Sequence, residues 1–137
     1  MLIYYNNITK TLTIPYEFNE VLKDIPDDTE IIIFDEDINI NNHVDNNKFS
    51  IFNQEIKENV LPPSIKKISL YSHCNLINNL HLRLEEVCIK FSDDDKYNKE
   101  ITNLPITLEK ITIEDEKYLK YITKIPFNCE IVIQKIE

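Results

Sequence analysis

The chain has 137 residues and a formal net charge of −9, with 15 basic against 24 acidic residues. The length suits one domain, and 42% hydrophobic with 28% charged residues is typical of a folded protein rather than a disordered one. The acidic balance argues against contacts with nucleic-acid phosphates and against docking on an anionic membrane. No run approaches the ~18 apolar residues of a membrane span.

The N-terminal residues predict a β-hairpin that caps the domain. Strand-like runs at residues 1–5 and 8–14 flank Asn6 and Asn7, and two residues of that type between strands are typical of a hairpin turn. Because the chain contains no glycine, asparagine and aspartate must occupy the turn positions that need positive φ.

A short outer helix is predicted next, at residues 16–23. Phe18, Val21 and Leu22 fall on one face at helical spacing. We expect that face to pack against the rest of the domain.

The main signal is a repeated strand unit. Residues 61–70 (Leu-Pro-Pro-Ser-Ile-Lys-Lys-Ile-Ser-Leu) closely match residues 104–113 (Leu-Pro-Ile-Thr-Leu-Glu-Lys-Ile-Thr-Ile). Residues 82–89 keep the apolar spacing without the proline. Residues 25–33 and 125–133 match each other as a variant near the two ends, which is expected of the terminal repeats of a solenoid.

Each apolar stretch predicts a short strand, because its residues are β-branched and alternate with period two. Taking one inward residue per coil gives steps of 18 to 24 residues, close to the ~20–29-residue period of leucine-rich repeats. The predicted inward residues are Ile14, Ile33, Ile51, Leu70, Ile89, Ile113 and Ile133. The strand at Ile51 has an alternative, in which one long coil with an insertion joins Ile33 to Leu70.

A second element precedes two of the strand units. Residues 52–56 read Phe-Asn-Gln-Glu-Ile and residues 97–101 read Tyr-Asn-Lys-Glu-Ile. We expect the asparagine to turn inward and to hydrogen-bond backbone groups of adjacent coils, since tight coils leave such groups without partners.

Taken together, these motifs resemble the FNIP repeat, which reads roughly Phe-Asn-x-Pro-Ile, a short spacer, then Leu-Pro-x-Ser-Leu. The resemblance is clear at residues 52–70 and 97–113 and weaker over about 25–133, with Glu55 and Glu100 in place of the second proline. FNIP repeats are similar to leucine-rich repeats and are common in amoebal and giant-virus proteins. The resemblance implies a protein-interaction module and brings no catalytic residues with it.

These features predict a single repeat domain at residues 1–137, with an N-terminal cap at 1–24 and degenerate repeats at 25–137. The expected fold class is an α/β solenoid similar to leucine-rich-repeat proteins. It would have short parallel strands on a concave face, short helices or turns outside, and the β-hairpin cap.

Residues that could carry chemistry do not form a recognisable site. His73, Cys74, His81 and Cys88 match no closed zinc pattern, and Cys88 with His81 is the one nucleophile–base pair to consider. Residues 93–95, three aspartates, lack the glycine and the spacing of a calcium loop, so we expect a solvated loop. We therefore expect no enzyme, metal or cofactor.

The cellular location is expected to be intracellular and cytoplasmic, in the host cell if the protein is viral. The first residues do not have the basic and apolar regions of a signal peptide. Cys74, Cys88 and Cys129 are odd in number and irregularly spaced, which fits reduced thiols better than a disulfide framework.

The candidate binding surface consists of strand residues between the inward positions. Its members are Lys67, Ser69, Glu86, Cys88, Lys110 and Thr112. Lys90 and Glu114 lie near the strand ends. We expect this surface to bind an unidentified protein partner, and reversing the charge of Lys67 and Lys110 to weaken that binding.

The alternative is a self-associating structural protein. An uncovered last coil exposes apolar surface and a strand edge. We therefore predict homodimerisation through the C-terminal coil, which contains Ile131, Val132 and Ile133.

Overall fold

The computed structural model describes residues 3–15, 17–34, 54, 60–72, 80, 83–92 and 94–134. Within them, seven strands form one sheet in chain order: β1 (Tyr4–Asn6), β2 (Thr11–Ile14), β3 (Ile31–Phe34), β4 (Lys67–Tyr71), β5 (Glu86–Lys90), β6 (Lys110–Ile113) and β7 (Glu130–Ile133). The first pair is antiparallel and every later pair is parallel. The chain is therefore a β-solenoid, in which each coil adds one strand beside the last.

The connections contain little helix. In the described segments they include two 3₁₀ helices, Asp95–Tyr97 and Glu116–Tyr121, and no α-helix. The repeat architecture is confirmed, whereas the α/β description is not. No helix in these segments is long and apolar enough to cross a membrane.

The predicted helix at residues 16–23 is wrong over its described part, residues 17–23, which are irregular. Phe18 and Leu22 are buried while Val21 is 63% exposed. The inward residues are thus four apart on a non-helical chain, so helical spacing alone was misleading. A helix this short gains too few hydrogen bonds to offset its nucleation cost.

The core is a stack of inward strand residues, two from each of the strands β2 to β6. They are Leu12, Ile14, Ile32, Phe34, Ile68, Leu70, Val87, Ile89, Ile111 and Ile113, and each is at most 3% exposed. Successive strands pair so that these residues lie directly above one another. Each coil therefore buries its apolar side chains against the coils on both sides, which a single coil cannot do alone.

The N-terminal β-hairpin is confirmed, although its turn differs from the prediction. The strands end at Asn6 and resume at Thr11, so four residues connect them. The side-chain oxygen of Asn6 accepts hydrogen bonds from the N–H groups of Ile8 and Thr9 at 2.9 and 3.2 Å. Lys10, with φ 60°, takes the positive-φ position. Asn6 thus stabilises the turn through its side chain, as such residues often do.

The prediction that Ile33 points inward is wrong, because Phe34 occupies the inward position. Ile14 pairs with Phe34, and Ile33 pairs with Ser69 on the opposite face. Every residue of β3 is apolar, so the sequence has no polar residue there that would identify the outward face. A slip of one residue reverses the face of every side chain in a strand.

The strand predicted at Ile51 stays a prediction. Ile51 lies outside the described residues, but β3 and β4 are hydrogen-bonded neighbours, so no strand lies between them. The steps from Ile32 to Ile68 and from Ile68 to Val87 are 36 and 19 residues. The described strands therefore favour the alternative of one long coil.

The prolines of the repeat form the corner before β3, β4, β6 and β7. The carbonyl oxygens of Pro26, Pro62, Pro105 and Pro126 accept hydrogen bonds from the N–H groups three residues later, at 3.1 to 3.3 Å. After this turn, one carbonyl of the previous coil accepts from two successive N–H groups. For example, Glu30 accepts from Lys66 and Lys67 at 2.7 and 3.2 Å. The chain therefore enters each strand at a fixed place beside its neighbour.

The serine or threonine that follows the proline bonds to the preceding coil. The hydroxyl of Ser64 donates to the carbonyl of Thr29 at 2.7 Å. The hydroxyl of Thr107 donates to the carbonyl of Leu84 at 2.9 Å. These bonds give a hydrogen-bond donor to corner carbonyls that have no partner in the strand ladder.

The predicted role of the asparagine is confirmed in part at Asn98, while Asn53 lies outside the described residues. The Asn98 side chain bonds to the N–H and C=O of Ser92 in its own coil, both at 2.8 Å. It also accepts from the hydroxyl of Ser72 in the preceding coil at 3.2 Å. Its backbone contacts are therefore within its own coil, and a side chain makes the link between coils.

Replacing Phe34 should destabilise the fold much more than replacing Ile33. Phe34→Ala removes a fully buried ring and should cost about 3–5 kcal/mol, whereas Ile33→Ala removes a half-buried side chain and should cost about 1 kcal/mol. Urea denaturation of both variants measures the difference. Equal losses would contradict the register described here.

Candidate functional site

The open face is the side of strands β4 to β7 that points away from the core. Strand register arranges its side chains in rows that cross the sheet. The first row contains Lys67, Glu86, Lys110 and Glu130, and the second contains Ser69, Cys88, Thr112 and Val132. All six residues of the sequence-predicted binding surface therefore lie in these two rows.

The first row alternates in charge from strand to strand. Lys67 and Glu86 are directly opposite each other and form an ion pair with a nitrogen–oxygen distance of 3.9 Å. Lys110 lies between Glu86 and Glu130. Neighbouring strands are about 4.8 Å apart, so every charge has an opposite charge beside it. We call this row the charge ladder.

The second row consists of small or short side chains. Ser69 is buried, at 8% exposed, while Cys88 and Thr112 are half-buried. Cys88 is a free thiol. These residues rise little above the sheet, so the second row is lower than the charge ladder beside it.

A third row borders the small residues on the other side. Tyr71 and Lys90 are opposite each other in β4 and β5, and the Lys90 ammonium lies 5.9 Å from the centre of the Tyr71 ring. Glu114 follows the end of β6. The charge ladder and this third row are four residues apart along a strand, which is about 13 Å.

On β4 and β5 the low second row lies between the charge ladder and the third row, and we call this strip the groove. Its floor is neutral, one wall is the charge ladder, and the other wall is the pair of Tyr71 and Lys90. The walls are about 13 Å apart between their backbones, which suits one extended segment better than a helix, since a helix with its side chains is about 10–12 Å across.

The described residues test the metal hypothesis only in part. Those residues include no group of three or more His, Cys, Asp or Glu that could hold a metal ion. His73, Cys74 and His81 lie outside them, so the zinc and Cys88–His81 hypotheses are not tested here.

The acidic loop is more ordered than the sequence suggested. Asp93 lies outside the described residues. Asp94 accepts a hydrogen bond from the Lys96 N–H and caps a 3₁₀ helix. Asp95 accepts from the hydroxyl of Tyr121 at 2.5 Å and lies 3.7 Å from the Lys120 ammonium. The Tyr121 hydrogen bond and the Lys120 charge hold the pKa of Asp95 below its ordinary value.

A second carboxylate joins the cap to the first repeat, and sequence reasoning missed it. Asp28 accepts from the Lys10 ammonium and from the Tyr5 hydroxyl, both at 2.6 Å. These hydrogen bonds lower the pKa of Asp28, and the Asp28 bond and charge raise the pKa of Lys10. The contact spans 18 residues to Lys10 and 23 to Tyr5, so no local motif could have revealed it.

The FNIP-repeat family model matches residues 52–80. The chain contains an FNIP repeat. The matched segment includes Ser64 and the whole of β4, and it is the first of the two segments on which the resemblance was clear. No curated protein and no solved structure matches the chain. The FNIP repeat is a repeat family that is not known as enzymatic.

The structure explains why the FNIP motif has its particular pattern of residues. Ser64 of its Leu-Pro-x-Ser unit donates across to the previous coil, and the following strand supplies Ile68 and Leu70 to the core. Lys67 and Ser69 alternate with them and face outward. One repeat therefore contributes both a layer of core and a strip of the open face.

Reversing both lysines should destabilise the fold. Lys67→Glu with Lys110→Glu would give four adjacent strands a carboxylate in the same row. Like charges opposite each other are unfavourable, so we expect a loss of about 1–2 kcal/mol at low ionic strength. Urea denaturation with and without added salt measures it, and salt should reduce the loss.

A matched control inverts the whole charge ladder. Adding Glu86→Lys and Glu130→Lys to the double variant restores alternation with every sign exchanged, and its stability should return to that of the parent. If the stability of this fourfold variant stays low, the charge pattern does not stabilise the row.

The Asp28 contact should make the cap sensitive to acid. Because the hydrogen bonds from Lys10 and Tyr5 hold the folded-state pKa of Asp28 below its ordinary value of 3.8, its contribution is present above that pH and is lost as pH falls through the lower folded-state pKa. Asp28→Asn should therefore flatten the fall in stability below about pH 4. Urea midpoints from neutral to acid pH measure this, with Asp27→Asn as the control. An unchanged acid profile for Asp28→Asn would contradict the assignment.

Proposed function

We propose that this chain is a non-catalytic protein-binding module of the leucine-rich-repeat type, and that a segment of another protein binds in the groove of the open face. The open face would be the concave surface of such a solenoid. The observation that carries the proposal is the alignment of outward side chains from β4 to β7 into continuous rows. Any sheet in this register forms outward rows, so the support comes from their content, which is alternating charges beside a row of small residues.

The composition of the groove supports a protein partner rather than a small metabolite. Its small neutral floor lies between a charge ladder and an aromatic–cation pair, so it offers a long and shallow contact. Enzymes and small-molecule sites are usually concave pockets that bury most of their ligand. Repeat proteins commonly bind partners along an extended surface of this kind.

The charge ladder would contribute specificity more than affinity. Lys67 and Glu86 are 46% and 40% exposed in their side chains, and exposed pairs of this kind contribute little energy. Their alternating pattern would nevertheless favour a partner whose charges alternate in the opposite order. A uniformly basic or uniformly acidic surface would meet repulsion at every second strand.

We place this binding inside the cell. Cys88 and Cys129 are free, half-buried thiols, which a reducing compartment preserves. The thiol of Cys129 is further protected because burial raises its pKa, and the thiolate is the reactive form.

The test is capture of a partner from lysate of the source or host cell by three tagged proteins. The first is the parent, and the second carries the inverted charge ladder, which keeps alternation within the row. The third exchanges Lys99 and Glu100, exposed residues outside the groove, as a control of equal net charge. A partner retained by the parent and the control but lost by the inverted ladder is expected.

Equal capture by all three proteins would contradict binding at the open face. Urea midpoints of the three should agree before the comparison is made, because a partly unfolded variant would lose any partner. Recovery of the protein alone would favour self-association over the binding function.

A further inference from the structure

Among the described residues, the backbone groups on the outer edge of β7 have no strand partner. β7 pairs with β6 on one side and with no described strand on the other. The N–H groups of Glu130 and Gln134 donate to the carbonyls of Glu109 and Ile113, both at 2.9 Å. In a parallel ladder the alternate residues face opposite edges, so the N–H and C=O groups of Ile131 and Ile133 point to the free edge.

The side chains of the same two residues leave the end of the core open. Ile131 and Ile133 lie in register with Ile111 and Ile113, which are 0% and 1% exposed. Ile133 is 44% exposed and Ile131 is half-buried. Ile111 and Ile113 are covered by β7, whereas no described strand lies beside β7 to cover Ile131 and Ile133.

Further apolar surface lies in the turn before β7. Phe127 is 89% exposed and Ile125 is 45% exposed. An exposed strand edge with adjacent apolar side chains is a template for pairing with another chain.

We infer that this edge binds the same edge of a second copy, with the two β7 strands antiparallel about a two-fold axis at Val132. Ile131 of each copy then lies opposite Ile133 of the other. The N–H and C=O groups of both residues point to the free edge. Each outward N–H of one copy can therefore donate to an outward carbonyl of the other copy. The four isoleucine side chains meet on the core side, and the two cores become continuous.

The charges of β7 are compatible with this pairing. The two-fold axis puts Glu130 opposite Gln134 of the other copy, so no two carboxylates face each other. Within each copy Lys110 already lies beside Glu130. Glu130 therefore adds no uncompensated charge to the edge.

Two neighbouring registers are poorer. A slip of one residue would turn the isoleucines of one copy away from the shared core. A slip of two residues towards the N-terminus would place Cys129 opposite Ile133, but the Cys129 N–H already donates to Pro126 at 3.1 Å. In the Val132-centred register the outward N–H and C=O groups of Ile131 and Ile133 pair with the same groups of a second copy, and this match points to a second copy as the occupant.

This contact uses the strand edge and not the open face, so it stands independently of the proposed binding function. A two-fold pair would carry two open faces side by side. A partner with two matching segments could then bind both at once.

The first experiment is the oligomeric state of the full chain by light scattering or sedimentation at high micromolar concentration. The parent should have twice the mass of one chain, which is 16.3 kDa. Ile133→Lys puts a charge on the edge and should halve that mass. Ile106→Lys is the matched control, since Ile106 is 82% exposed in a turn, and it should leave the dimer intact.

The second experiment fixes the register without disturbing the core. Residues opposite each other at a non-hydrogen-bonded antiparallel pair have Cα atoms about 4.5 Å apart, within reach of a disulfide. Under mild oxidation, Val132→Cys should give a covalent dimer on a non-reducing gel. Thr112→Cys, in the same row but one strand further in, should not, and the parent measures the background from its own cysteines.

A monomeric parent at high micromolar concentration would overturn the proposal. So would cross-linking of Thr112→Cys as efficient as that of Val132→Cys, or loss of the dimer in Ile106→Lys as complete as in Ile133→Lys. If Ile133→Lys fails to fold, the cross-linking pair still decides the matter.

Discussion

The pairing of each strand with the strands of the neighbouring coils is the constraint on which the rest of this structure depends. A single coil contributes a strand of four or five residues and has no second layer of its own. Its inward side chains, such as Ile68 and Leu70, become buried only when coils lie above and below them. Stability is therefore shared between neighbours, as in other repeat proteins.

The corners maintain this register from one coil to the next. A turn begins at the proline, the serine or threonine hydroxyl bonds back to the preceding coil, and one carbonyl accepts two N–H groups as the strand begins. Because these bonds join successive coils, a shift in one strand would break contacts on both sides of it. Insertions are therefore tolerated in the outer connections, as in the 36-residue step between β3 and β4, and not at the corners.

The same register gives the outer surface its chemistry. Inward positions must be apolar, but the positions between them are free to vary, and in β4 to β7 they form rows of charge and rows of small residues. The two ends of the sheet differ. The hairpin covers β2, and Asp28 joins that cap to the first repeat through Tyr5 and Lys10. At the other end Ile131 and Ile133 remain accessible.

The sequence by itself determined the repeat, the strand positions from β4 onwards and the six candidate residues of the open face, because alternation and the Leu-Pro-x-Ser unit are local patterns. Tertiary structure decided what those patterns left open. In β3 every residue is apolar, so only pairing with β2 and β4 shows that Phe34 faces inward and Ile33 outward. The charge ladder and the Asp28 contact join residues from different coils, and their separation in the chain is set by connections of unequal length. Such contacts are created by the stacking of coils and have no signature in any single repeat.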